Sequence, residues 1–131
     1  MPCLIVPVLI ALLAYGNYVV LQVFCRRSAG GAWWIVWTCA CLAGAGLGYW
    51  SGFYFEYQLS PSLRVCGFPV PGAFFHWEGP LGEERWIDFI TPAPVLYSGS
   101  NVPLLGLLAG QVVGLPFWLW SRLGARIHPL P

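Results

Sequence analysis

Three stretches of the chain, residues 2–24, 32–55 and 102–120, run without a charged side chain. A helix that crosses a bilayer needs roughly 20 apolar residues at about 1.5 Å rise each. Hydrocarbon offers backbone amides no water, so the pattern predicts three transmembrane helices rather than strands. Residues 86–97 are also apolar, but the segment is short, holds Asp88 and is broken by Pro92 and Pro94. It reads as interfacial. The first run lacks any preceding Lys or Arg and is long for a signal-peptide core, so it reads as a retained span.

Between spans two and three, residues 60–101 form the one segment that can fold outside the membrane. Pro61, Pro69, Pro71, Pro80, Pro92 and Pro94 exclude a long helix there. Residues 73–78 and 85–90 are rich in aromatic and branched side chains, and Gly79-Pro80-Leu81-Gly82 lies between them. This pattern predicts a β-hairpin. A lone hairpin is marginal in water, so its aromatic side chains Phe75, Trp77, Trp86 and Phe89 are the expected surface for a membrane or a partner. The predicted fold is an all-α membrane protein, one integral domain of three helices with a short extracytoplasmic hairpin between helices 2 and 3.

Composition sharpens this picture. Of 131 residues, 58% are hydrophobic and only 8% charged, against about 25% charged in average soluble domains. Mean hydropathy is +0.69. Six arginines against five acids leave no basic patch for nucleic acid. Arg26 and Arg27 lie between the first two spans, and Arg122 and Arg126 follow the third, with no acid beside them. The 60–101 loop carries two arginines against four acids. The positive-inside rule then puts the N-terminus outside and the C-terminus in the cytoplasm. Trp33, Trp34 and Trp37 at one end of span two, Tyr49, Trp50, Tyr54 and Tyr57 at the other, and Trp118 and Trp120 in span three match the aromatic belts of membrane interfaces. Contact with pigment, quinone or lipid is the alternative role for these rings.

Residues 67–71 (Gly-Phe-Pro-Val-Pro), residues 86–92 (Trp-Ile-Asp-Phe-Ile-Thr-Pro) and Asn101 opening a span resemble a pattern in small bacterial inner-membrane proteins that have no assigned activity. The resemblance runs from residue 67 to the third span. It implies a bacterial inner membrane and an outer hairpin, and no chemistry.

Candidate chemistry is sparse. His76 and His128 both lie outside the spans, so no intramembrane histidine can hold a haem or chlorophyll. Strand alternation puts only His76 and Glu78 on one face, too few for zinc. No P-loop, G-x-S-x-G or H-E-x-x-H motif occurs. No cofactor is expected on side-chain ligands, and no catalytic group. Asn17 and Gln22 in span one and Gln111 in span three are the expected interhelical polar contacts, worth about 0.6 kcal/mol each on average. Cys39 and Cys41 face different directions on a helix. Cys3 and Cys66 share the outer side, where a disulfide is permitted; two free thiols are the alternative.

Gly44, Gly48 and Gly52 recur every four residues in span two, as do Gly106, Gly110 and Gly114 in span three. Residues four apart share a helix face, and small residues let membrane helices approach closely. If span three begins at Val102, the rows face each other with Gly52 level with Gly106, Gly48 with Gly110 and Gly44 with Gly114. The alternative is a groove filled by a partner subunit or a flat cofactor. Two function classes follow: a non-catalytic subunit or assembly factor of a larger membrane complex, or a small oligomeric channel or transporter. The orientation has a direct test. A reporter active only in the cytoplasm, fused after Pro131, should give signal; a silent but well-expressed fusion overturns the assignment.

Overall fold

A computed structural model describes residues 2–27, 29–78, 85–87 and 92–127, with backbone alone for 2–4, 76–78, 85–87, 92–94 and 123–127. The order is α1 (Pro2–Arg26), α2 (Gly31–Phe53), β1 (Glu56–Ser60), β2 (Leu63–Cys66), β3 (Ala73–Glu78), β4 (Arg85–Ile87) and α3 (Pro92–Ile127). Segments Ile5–Arg26, Gly31–Phe53 and Val95–Arg122 are long and apolar enough to cross a membrane.

Two features depart from the expectation. First, α3 begins at Pro92, well before Val102, so residues 92–97 are helical rather than an interfacial break. Pro92 and Pro94 fall in the first turn, where the missing N–H groups had no intrahelical partner to lose. Second, the hairpin of β3 and β4, with Trp77 opposite Trp86, belongs to a four-stranded antiparallel sheet in the order β1-β2-β3-β4.

The chain packs as two compact units, residues 1–44 with 104–131, and residues 45–103. In the first, α1 and the C-terminal part of α3 run parallel at a constant offset. Gly110 is against Asn17, Gly114 against Val20, and the Phe24 ring meets Phe117 edge-on at 4.7 Å. Trp37 and Cys41 of α2 also reach Gly110, and Leu105 and Ala109 of α3 reach Gly44. Val20, Phe24 and Leu104 form its buried apolar core.

In the second unit, the end of α2 packs on the start of α3 and on the sheet. Gly52 lies against the Ser98 carbonyl, and Gly48 against the backbone of Asn101 and Val102. Val65 and Cys66 of β2 are its buried core.

All six glycines of the two rows are buried, but the register differs from the expected one. The α2 row receives the backbone of α3 at Ser98, Asn101 and Leu105, while Gly110 and Gly114 receive α1. The cause is the earlier start of α3: a helix that begins at Pro92 presents its Ser98–Asn101 turns where the Val102 start would have placed glycines. Gly48 carries a sharp test. A side chain there meets backbone, which cannot rotate away, whereas Gly46 has nothing within 4 Å. Gly48→Val should lower the thermal unfolding midpoint in mild detergent, at the about 1–3 kcal/mol typical of overpacking. Gly46→Ala should leave it unchanged or raise it. Equal midpoints for Gly48→Val and the parent would rule out the close approach.

Candidate functional site: a clamped proline loop on a helix end

The last four carbonyls of a helix have no intrahelical partner, and a thiol and a loop take up those of α2. Trp50 O accepts from Tyr54 N at 2.9 Å, and Ser51 O accepts from Phe68 N at 3.1 Å. The Cys66 thiol is directed at the last two, Phe53 O at 3.6 Å and Gly52 O at 3.9 Å. One residue on, Gly67 N donates to Phe55 O. Cys66 is 8% exposed. Burial pushes its thiol above the ordinary range, offset in part by the Arg64 charge, so the proton that caps the helix stays on sulfur. A protonated, covered thiol is a poor nucleophile.

The chain then reverses at Gly67, whose φ of +103° is open to glycine and costly for other residues. A Cβ there would also lie 2.8 Å from Val70 O and 2.9 Å from Gly72 N. The peptide Phe68–Pro69 is cis, and Gly72 N closes the loop onto Cys66 O. Val70, flanked by prolines, is held by Asn101. Its N–H donates to Asn101 Oδ1 at 2.9 Å, and its carbonyl accepts from Asn101 Nδ2 at 2.9 Å. Asn101 is fully buried. One side-chain amide thus imitates a neighbouring β-strand for a residue that has none.

Around this clamp the surface is aromatic. The Phe55 ring sits 5.7 Å from Trp50, 5.9 Å from Tyr57 and 6.4 Å from Phe68. Trp50, Tyr54 and Phe68 are more than half exposed. An open cleft of about 410 Å³ is lined by Glu56, Tyr57, Gln58 and Arg64, and the Glu56–Arg64 ion pair bridges its walls.

The other expected residues divide by role. Asn17, 3% exposed, joins three helices: its Nδ2 donates to Leu13 O and Leu107 O at 2.9 Å, and its Oδ1 accepts from Trp37 Nε1 at 3.3 Å. Gln111 Nε2 reaches Leu13 O of α1 at 3.3 Å. Gln22 does not cross between helices; it donates to Tyr18 Oη at 2.7 Å, one turn earlier on the same face of α1. Cys66 is a free thiol among the described residues, with its sulfur turned to the α2 carbonyls; the Cys3 side chain, and with it the expected Cys3–Cys66 disulfide, lies outside the described residues. Phe75 is half-buried with the Arg64 guanidinium 6.0 Å from its ring. The Trp77 and Trp86 side chains and Phe89 lie outside the described residues. Among the described residues no three His, Cys, Asp or Glu side chains converge as a metal site.

Comparison with protein-family models, with curated proteins and with solved structures found no match. The clamp predicts its own failure mode. Asn101→Ala removes the partner of the part-buried Val70 N–H and carbonyl, a loss of about 1–3 kcal/mol at most. Cys66 should resist alkylation at alkaline pH in the parent while exposed Cys25 reacts, because the raised Cys66 pKa leaves less thiolate at any given pH. In Asn101→Ala, Cys66 should become reactive. Equal labelling of Cys66 in both proteins would show that the amide does not hold the loop.

Proposed function

We propose that the chain is a small non-catalytic subunit, or an assembly and stabilising factor, of a larger complex in the bacterial inner membrane, with its N-terminus outside and its C-terminus in the cytoplasm. The observation that carries this reading is where the polar groups go. Asn17, Gln111 and Asn101 all bond to the chain's own backbone, and the Asn17 oxygen takes the Trp37 indole. A conduit for ions or solutes needs such groups facing a path, and transporters usually add intramembrane charge or broken helices. Here the spans are uncharged between their ends and their amides are used internally, so the channel alternative has little to work with.

The unspent surface is apolar. Within an 18-residue apolar window of each candidate span only 17%, 11% and 22% of residues are buried, leaving most of that window free to face lipid or another subunit. Ile35, Leu42, Leu47 and Val112 are each more than 60% exposed. The aromatic surface around Phe55 and Phe68 is a second region suited to apolar contact.

Extraction in a mild detergent followed by native mass measurement tests the reading. Co-migration at fixed stoichiometry with larger, unrelated membrane subunits is the expected result, and reciprocal tagging of those subunits should recover this chain. A homo-oligomer would favour the channel class instead, and a monomer would refute both.

A further inference from the structure

The first unit, residues 1–44 and 104–131, contains four arginines and no acidic side chain; all five acids of the chain lie between Glu56 and Asp88. The parallel offset of α1 and α3, with Phe24 beside Phe117 and Gly114 beside Val20, brings Arg26 and Arg27 level with residues 119–121, next to Arg122. Trp33 of α2 joins this end, 5.1 Å from the Phe117 ring, and Trp34 stands edge-on to Phe24 at 5.4 Å. Three helix ends therefore meet on an aromatic floor carrying Arg26, Arg27 and Arg122, all exposed. Arg126 follows one turn after Arg122 along α3.

Among the described residues, nothing within this unit neutralises that charge. The partial charges at the C-terminus of α1 and the N-terminus of α2 are opposite in sign and about half a charge each, so they largely cancel. Arg122 has a ring rather than a carboxylate, its guanidinium 5.2 Å from the Trp118 ring centre. Such stacking fixes a guanidinium without satisfying its donors. Among the described residues, Trp118 also holds the one buried side-chain nitrogen without an acceptor, its indole Nε1. Charge, oriented donors and aromatic rings together call for an anion that arrives with apolar chains attached.

We propose that this end of the three-helix unit binds the phosphate headgroup of an anionic phospholipid, with Arg26, Arg27 and Arg122 supplying the charge and Trp33, Trp34 and Trp118 the interfacial platform. The lipid's acyl chains lie along the exposed apolar faces of the helices below. Each arginine near an anionic lipid surface contributes about as much as a several-fold gain in binding, so three acting together give a selectivity of tenfold or more over a zwitterionic lipid. The site does not depend on the subunit reading above, because it requires only lipid.

The test uses the full chain purified in a mild non-ionic detergent, with retained lipid read by native mass spectrometry and protection read by the thermal midpoint. Phosphatidylglycerol should be retained about tenfold or more over phosphatidylcholine, and added salt should weaken the preference. Inorganic phosphate alone should give no protection. The triple variant Arg26→Gln, Arg27→Gln, Arg122→Gln should retain the two lipids equally, while Arg122→Lys keeps most of the preference. Equal retention by the parent overturns the proposal without any variant. So does equal protection by inorganic phosphate, which would mark a free-anion site. A triple variant that keeps its phosphatidylglycerol preference but loses an acidic partner protein would also overturn it, assigning this end to that partner.

Discussion

A backbone carbonyl surrounded by apolar atoms has no water to turn to, and this constraint shapes both units. At the end of α2 it is met by the Phe68 amide and the Cys66 thiol. At Val70, between two prolines and away from any strand, it is met by the Asn101 amide. At Leu13 and Leu107, whose carbonyls already take part in helical bonding, extra donors from Asn17 and Gln111 use the remaining lone pairs to tie helices together. Each such group left bare would cost more than a made bond returns, so these few amides determine the packing out of proportion to their number.

Glycine makes that packing possible. The carbonyls of Ser98, Asn101 and Leu105 approach the α2 axis where Gly52, Gly48 and Gly44 have no side chain. Close approach adds dispersion contacts in a medium where burying apolar surface gains little, since lipid is already apolar. It also explains how Asn101 can be fully buried at a helix surface: with α2 drawn in on one side and the 67–71 loop on the other, its amide has a polar partner and no exposure.

The spans and the β3–β4 hairpin were legible because each is written in local pattern: uncharged runs for the helices, aromatic strands around Gly-Pro-Leu-Gly for the hairpin. What escaped depends on contacts distant in sequence. Strands β1 and β2 are short, and Glu56 and Tyr57 read equally well as the edge of a membrane span; it is pairing with β3 that makes Leu63–Cys66 a strand. The start of α3 was hidden by Pro92 and Pro94, which break a helix in its middle but open one at its first turn. That single displacement carried the glycine register with it. Cys66 was legible as a cysteine but not as a helix cap, because no sequence spacing shows which carbonyls a thiol will meet. Asn101 and the 67–71 loop were noticed together as a pattern, and the structure supplies the reason: the side-chain amide of one holds the backbone of the other.

The bulge in β1 has a consequence for how the sheet meets other molecules. Register slips between Gln58 and Ser60, and Leu59 between them is 62% exposed. An unpaired sheet edge is normally a template on which another chain can add a strand. Here the free edge runs straight only from Glu56 to Gln58 before the slip re-aims its N–H and C=O groups, and that short stretch begins with the charged Glu56, ion-paired to Arg64 of the neighbouring strand. On the opposite edge the described strand, Arg85–Ile87, is three residues long. An incoming strand would find too few aligned groups along β1 to zip. The sheet therefore limits itself at its β1 margin: side-chain surfaces there remain available for contact, while polymerisation through the backbone is discouraged.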